Sequence, residues 1–131
     1  MIVLDSSAAV DYLLGREPEA AWVRQQLRDA HWRIRVPHVF DVEVVGVLRR
    51  YVLARELLAE DAHARVLLLA QLPARRYPHV QLLGRVWELY PTVRTPDACF
   101  VALAEALSIP LVTTDRRLAR ARGPRIPILA P

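Results

Sequence analysis

Three aspartates stand where their carboxylates can meet in one place. Asp5 follows the apolar run Ile2-Val3-Leu4, and Asp115 follows the apolar run Leu111-Val112-Thr113-Thr114. If both runs are parallel strands, their carboxyl ends lie at the same edge of a sheet, where ligands bind in open α/β folds. Asp97 opens an apolar helix, and a helix that enters from that edge brings a third carboxylate there.

Such a cluster of acids favours a metal site. Neighbouring carboxylates raise each other's pKa and oppose ionisation unless a cation neutralises them. Oxygen ligands favour the hard ions Mg²⁺ or Mn²⁺ over Zn²⁺, and the single Cys99 and four scattered histidines offer no thiolate or imidazole set. Each aspartate taken alone is equally typical of a helix cap or a turn. The position of all three at one edge favours the metal site, and the cap interpretation stays open for each.

The basic side chains of the chain are all arginine. None of the 18 basic residues is lysine, which excludes a P-loop, a Schiff-base site and a receiver domain. The net charge is +4, and arginine matches phosphate well, so a nucleic-acid partner is favoured. The alternative for any of these arginines is an exposed helix face. The candidates for phosphate contacts are Arg49, Arg50, Arg94, Arg116, Arg117, Arg120 and Arg122.

Strands and helices alternate along the chain. Short apolar runs predict strands over 2–4, 34–36, 110–114 and 126–129, the last at an edge because of Pro127. Helical spacing and caps predict helices over 8–14, 17–30, 40–55, 59–72, 80–90, 98–107 and 116–122, with a turn between Pro73 and Pro78 and Thr95 as an N-cap. The strands lack polar alternation, as in sheets covered on both faces. The prediction is an α/β fold with a short, mainly parallel central sheet flanked by helices.

The composition also indicates the number of domains and the cellular compartment to expect. No linker or repeat interrupts the chain, which predicts one domain over 1–131. No signal peptide and no apolar run of about 20 residues is present, so neither export nor a membrane span is expected. A lone cysteine fits a reducing cytoplasm.

Four segments together resemble the acidic motifs of the PIN domain. They are Ile2-Val3-Leu4-Asp5-Ser6-Ser7-Ala8, Val36-Pro37 with Glu43 and Leu48-Arg49-Arg50, Thr95-Pro96-Asp97-Ala98 with Val101-Ala102-Leu103-Ala104, and Leu111-Val112-Thr113-Thr114-Asp115-Arg116-Arg117-Leu118. In chain length and in the residues of these motifs, the chain is most similar to the VapC-type toxins of bacterial toxin–antitoxin pairs. The resemblance runs from Met1 to Leu129.

The resemblance implies a three-layer PIN-like fold and a metal-dependent endoribonuclease that uses Mg²⁺ or Mn²⁺. It selects Glu43 over the nearby Asp41 as a site residue and gives Ser7 and Thr113 supporting positions. Pro96 departs from the bulky residue that relatives often carry before the third acid, and it leaves that acid in place. The implied catalytic and metal-binding quartet is Asp5, Glu43, Asp97 and Asp115.

The resemblance also implies partners. These are an RNA substrate, a cognate antitoxin and a second copy of the chain in a homodimer. Apolar residues that could form a groove for an antitoxin helix are Trp22, Leu27, Leu57, Leu58 and Leu67-Leu68-Leu69. The alternative function is a catalytically silent RNA-binding or scaffold protein of the same fold. A serine hydrolase is not supported, because Ser6 and Ser7 have no histidine partner in the sequence pattern.

Overall fold

The centre of the molecule is a five-stranded sheet. The computed structural model describes all residues from Met1 to Pro131. The strands are β1 (Ile2–Leu4), β2 (Ile34–Pro37), β3 (Ala74–Tyr77), β4 (Leu111–Val112) and β5 (Ile128–Leu129). They are all parallel and lie in the order β3-β2-β1-β4-β5, with Val3 opposite Arg35 on one side and Leu111 on the other. The predicted α/β architecture is therefore confirmed, and β1 lies at its middle.

Seven helices flank the sheet. They are α1 (Ser6–Leu14), α2 (Glu19–Asp29), α3 (Val39–Leu53), α4 (Ala59–Gln71), α5 (Leu83–Glu88), α6 (Thr95–Leu107) and α7 (Arg116–Ala119). Helix α1 packs against α2 and α3, and α6 packs against β1, β2 and β4. No helix is long and apolar enough to cross a membrane.

The core forms where the most apolar elements meet. Every residue of β1 is buried, as are seven consecutive residues of α6, Ala98–Ala104. Phe40 of α3 and Phe100 of α6 are fully buried and meet edge to face, with ring centroids 6.3 Å apart. Burial of each such ring contributes about 2 to 3 kcal/mol. This packing fixes α3 and α6, which carry two of the predicted site acids.

One strand was not predicted. The segment between Pro73 and Pro78, expected to be a turn, forms the edge strand β3. Its two arginines break the apolar pattern of a buried strand, and an edge position tolerates them. The Arg76 guanidinium donates two 2.8 Å hydrogen bonds to the Asp41 carboxylate and another, at 2.9 Å, to the Ala74 carbonyl.

Several boundaries also differ from the predictions. The helix predicted over 80–90 is a 3₁₀ turn, Val80–Leu82, followed by the short α5. Strand β4 has only two residues, although the Thr113 N–H still donates to the Leu129 carbonyl at 3.0 Å. Thr95 lies inside α6 rather than capping it, because the N-cap position is Arg94. The predicted edge strand near the C-terminus is present as β5, and Gly15, at φ 65°, ends α1 as expected.

Candidate active site

The four acids selected by the resemblance line one pocket. Its volume is about 610 Å³, and it opens at the carboxyl end of the central strands. Asp5 directly follows β1, and Asp115 directly precedes α7. Asp97 lies in the first turn of α6, and Glu43 lies early in α3. The structure therefore brings together residues that are up to 110 positions apart in the sequence.

Two hydroxyl groups hold the Asp5 carboxylate. The Ser7 and Thr113 hydroxyls both donate to Asp5 Oδ2, at 2.6 and 2.7 Å. The Ser7 hydroxyl oxygen accepts the Thr114 N–H at 3.2 Å, and that of Thr113 accepts the Asp115 N–H at 3.0 Å. Each hydroxyl has one proton, so both protons are committed to Asp5 while both oxygens hold the backbone after β4. Ser7 and Thr113 thus connect Asp5 to the segment that carries Asp115.

Burial and mutual repulsion raise the pKa values of three pocket acids. Burial raises the pKa of Asp5, and the hydrogen bonds from Ser7 and Thr113 oppose that rise. Burial, followed by the charges of Asp5 and Glu43, raises the pKa of Asp97 to about 6. Burial and the Asp5 charge also raise the pKa of Glu43, against the hydrogen bond from Ser6. None of these three acids forms a salt bridge.

The structure separates Glu43 from its neighbour Asp41. Glu43 lines the pocket, and its Oε2 accepts a 2.8 Å hydrogen bond from the Ser6 hydroxyl. Asp41 lies outside that pocket and is paired with Arg76. Glu43, and not Asp41, therefore lies in the pocket with the other three acids.

Only one of the three aspartates acts as a helix cap through its side chain. Asp115 is the N-cap of α7, and its Oδ1 accepts the Arg117 N–H at 2.7 Å. Asp5 stands at the N-cap position of α1, but its side chain makes no capping hydrogen bond. Asp97 lies within α6. Asp115 accordingly both caps a helix and lines the pocket.

Only part of the predicted arginine rim lies at the pocket. Arg94, Arg116 and Arg117 line it, together with Arg50 of α3. The other three candidates, Arg49, Arg120 and Arg122, are not among its lining residues. The arginines at the mouth are exposed, and of these only Arg117 is paired with an acid, with its Nη2 3.6 Å from Asp115 Oδ2.

The donor chemistry of the pocket fits a hard divalent cation. All four acids offer oxygen ligands, and their negative charge is only partly offset by Arg94 and Arg50. They surround the pocket without forming a closed cage, since no three His, Cys, Asp or Glu side chains are grouped closely enough to hold a metal ion. Mg²⁺ suits such an open arrangement, because it keeps several waters and takes one or two carboxylates directly.

Among the pocket residues that were not predicted to belong to the site, three are singled out by their contacts or position. The Ser6 hydroxyl binds Glu43, and the Asp11 carboxylate accepts a 2.6 Å hydrogen bond from the Thr114 hydroxyl. Tyr51 lines the far end of the pocket. Helical spacing from residues already selected could have indicated two of them, because Asp11 is four residues from Ser7 and Tyr51 is eight from Glu43.

Known proteins are similar to this chain in both sequence and fold. The PIN domain family matches residues 2–124. Ribonuclease VapC12 of Mycobacterium tuberculosis is 39% identical over 123 residues, which cover 94% of this chain and 93% of that protein. The crystal structure of VapC20 from the same species, a sarcin-ricin loop cleaving toxin, superposes with a TM-score of 0.71 at 13% identity, over 91% of this chain and 93% of that one.

A second solved structure extends the comparison. VapBC2 from Rickettsia felis, solved with a DNA fragment from its promoter, has a TM-score of 0.69 at 14% identity. The match covers 99% of this chain and 98% of that one. The two superpositions show that the fold is shared, whereas the family match and the 39% sequence identity show common descent. The chain belongs to the PIN domain family, in its VapC group.

Proposed function

We propose that this chain is a metal-dependent endoribonuclease that hydrolyses RNA phosphodiester bonds as the toxin of a toxin–antitoxin pair. The observation that carries the proposal is the convergence of Asp5, Glu43, Asp97 and Asp115 on one pocket with an arginine rim. The ribonuclease name of a relative with 39% identity supports the same activity. A donor set made only of carboxylate oxygens supports Mg²⁺ or Mn²⁺ as the cofactor, with water as the remaining ligands.

Asp5 and Asp97 are the principal ligands in this proposal. Asp5 is fixed by two hydroxyls, and Asp97 by its place in the first turn of a buried helix. Glu43 and Asp115 complete the ligand set, directly or through water. A bound divalent cation would lower the pKa of water and neutralise charge on the phosphoryl oxygens.

The remaining steps fall to side chains of the chain itself. Glu43 Oε2 accepts from Ser6, which leaves Oε1 available to accept a proton from the attacking water. Because its pKa is raised, the Glu43 carboxylate is a stronger base than an ordinary glutamate. Arg94, Arg116 and Arg117 contact the phosphates on either side of the scissile bond. Ser7 and Thr113 position Asp5 and do not contact the substrate.

An antitoxin and a second copy of the chain are the proposed protein partners, and the cytoplasm is the proposed location. A groove of about 410 Å³, lined by Tyr12, Trp32, Leu68 and Leu72, supports an apolar antitoxin segment. Leu58 and Leu67 are exposed, as that role requires, and Trp22 and Leu57 are partly buried. Leu27 and Leu69 are core residues, so their predicted place in a partner groove is wrong.

Cleavage of RNA by variants tests the catalytic proposal. Purified wild type is incubated with structured RNA in Mg²⁺ or Mn²⁺, beside Asp5→Ala and Asp97→Asn. We expect each substitution to lower the cleavage rate by about 100-fold or more. Equal cleavage by all three proteins would place the activity in another centre or in a contaminant.

The same proteins test the alternative function and the toxin role. RNA binding without any cleavage by the wild type would favour a catalytically silent RNA-binding protein. Expression of the wild type in bacteria should arrest growth, whereas expression of Asp97→Asn at equal soluble level should not. Growth unaffected by the wild type would contradict the toxin role.

A further inference from the structure

The pocket continues beyond the acids into a cleft between α1 and α3. Glu43, Val47 and Tyr51 follow one another at four-residue spacing on α3 and line its floor. Val10 and Asp11 of α1 line the facing side. Eight helical residues separate Glu43 from Tyr51, which is about 12 Å along the helix axis. The cleft therefore has an acidic end and a distal end.

The three hydrophobic side chains of the pocket belong to the facing helices α1 and α3. Of the 16 lining residues only three are hydrophobic, and these are Val10, Val47 and Tyr51. The arginines that face the acids, Arg94, Arg116 and Arg117, belong to other elements and lie at the mouth. An otherwise polar pocket thus has one apolar wall, set back from its phosphate-binding end.

Arg16 holds the Tyr51 ring at the end of this wall. Its guanidinium lies over the ring, 4.1 Å from the centroid, and donates a 2.6 Å hydrogen bond to the Tyr51 hydroxyl oxygen. Tyr51 lines the pocket and also packs against the hydrophobic core, whereas Arg16 does not line the pocket. The Gly15 turn, at φ 65°, places Arg16 there directly after α1. The ring is oriented before any ligand arrives.

We propose that Tyr51, oriented by Arg16, forms a nucleobase subsite that binds a base next to the scissile phosphate. This inference rests on the proposed ribonuclease function. Tyr51 is a substrate-binding residue in it, and Arg16 is a positioning residue. Proteins that bind single-stranded RNA stack unpaired bases on aromatic rings, and the Val10–Val47 surface extends the ring with further apolar contact.

The charges at the distal end favour a base over a phosphate. Asp11 of α1 lines the same cleft, where its carboxylate accepts from the Thr114 hydroxyl and repels an anion. Arg16 is already engaged by Tyr51, which leaves Arg50 as the one free cation beside the wall. A protein partner is also less suited to this wall, because the ring is set in a cleft between two helices rather than on an open face.

Binding of RNA without cleavage tests the subsite. A labelled single-stranded RNA oligonucleotide is titrated into Asp97→Asn protein, so that bound RNA stays intact. Adding Tyr51→Leu should weaken binding by about tenfold, the usual effect of losing one base–aromatic stack. Tyr51→Phe should retain most of the affinity, and Arg16→Gln should fall between the two. Tyr77→Leu is the matched control, because Tyr77 also lies under an arginine, Arg75, but lines no pocket.

RNA oligonucleotides that lack single bases provide a second test of the subsite. Oligonucleotides with a single abasic position are scanned against protein with Tyr51 and with Tyr51→Leu. At one position next to the cleavage site, the losses of binding free energy from removing the base and from removing the ring should not be additive, since both changes remove the same contact. Equal losses at every abasic position, or unchanged binding by Tyr51→Leu, would overturn the subsite.

Failure of the subsite proposal and failure of the ribonuclease proposal would give different experimental results. If wild type cleaves RNA and Tyr51→Leu does so with unchanged KM and kcat, the subsite is wrong and the nuclease stands. If wild type never cleaves but binds RNA with the Tyr51 dependence, the subsite stands without the nuclease. If Tyr51→Leu instead changes only self-association, the ring belongs to a protein interface and the subsite is wrong.

Discussion

The Asp5 carboxylate is the point at which burial, charge and hydrogen bonding act together on one side chain. It is 3% exposed and has no cationic partner, and two hydroxyls supply its stabilisation. A buried carboxylate in this state costs free energy, which is worthwhile only where a function needs the charge. The hydrogen bonds from Ser7 and Thr113 therefore favour the ionised form of Asp5, which burial disfavours.

Thr113→Val keeps the shape of the side chain and removes its hydroxyl. The substitution takes a 2.7 Å donor from Asp5 and a 3.0 Å acceptor from the Asp115 N–H. We expect the free energy of unfolding to fall by about 2 kcal/mol and RNA cleavage to fall by about tenfold or more. Urea unfolding and initial cleavage rates measure the two effects. Thr113→Ser restores the hydroxyl and should recover most of both, and a Ser variant as impaired as Val would contradict the hydrogen-bond explanation.

The pKa of Asp97 gives the metal-free protein a distinctive pH dependence. Its folded value of about 6 lies above its ordinary value of 3.8, so the folded state binds the extra proton between these pH values. Stability of the folded state therefore declines, through this group, as pH rises from about 4 to about 6. Asp97→Asn lacks this loss and should be more stable than wild type by about 1 to 2 kcal/mol at pH 7 without metal, and nearly equal to it at pH 4.

Unfolding of both proteins across pH in the presence of a chelator measures this difference. Asp5 and Glu43 also have raised pKa values, so the variant keeps a weaker decline of its own. A constant difference between the two proteins from pH 4 to pH 7 would contradict the raised pKa of Asp97.

At the scale of elements, the sequence was informative where one physical effect dominated. The apolar run of β1 and the all-round apolar α6 have one stable place, which is the interior. Strand β3 was missed because its Arg75 and Arg76 contradict a buried pattern; the edge position tolerates both, and Arg76 pairs with the distant Asp41. Ser6 escaped prediction for the same reason, since its partner Glu43 is distant in the chain. Glu43 was identified by resemblance, because spacing alone could not separate it from Asp41.

The ion pair between Arg76 and Asp41 joins the edge strand β3 to α3. Both side chains are about a third exposed, and the two bonds are bidentate at 2.8 Å. Arg76→Met should lower the free energy of unfolding by about 1 to 2 kcal/mol, since it leaves the half-buried Asp41 without a partner. Arg24→Met is the control, because its ion pair with Glu17 is more exposed and should contribute at most about 0.5 kcal/mol. Equal effects in urea unfolding would show that β3 is not held by this pair.

Across the whole molecule, the quartet of Asp5, Glu43, Asp97 and Asp115 lies in an otherwise strongly basic chain. Apart from that quartet, the chain has 18 arginines and ten acidic residues, a net charge of +8. An acidic pocket in a basic body attracts RNA at long range and repels it at the reacting centre unless a cation is bound there. The modest net charge of +4 conceals this arrangement.

A divalent cation should therefore stabilise the folded molecule through this pocket. The carboxylates repel one another when the pocket is empty of cations, so binding to the folded state both removes repulsion and adds ligand bonds. At a concentration of 100 times Kd, Mg²⁺ or Mn²⁺ should add about 2.7 kcal/mol to the free energy of unfolding. For a chain of this length that corresponds to a rise in Tm of roughly 10 °C.

Thermal unfolding in MgCl₂ or MnCl₂, beside NaCl of equal ionic strength, measures this stabilisation. Asp97→Asn should show a much smaller rise, because it removes both a ligand and part of the repulsion. Screening by salt acts on exposed charges of the whole surface, so it would raise or lower the Tm of both proteins equally. An equal response of wild type and Asp97→Asn to Mn²⁺ would therefore place the bound cation outside the pocket of the four acids.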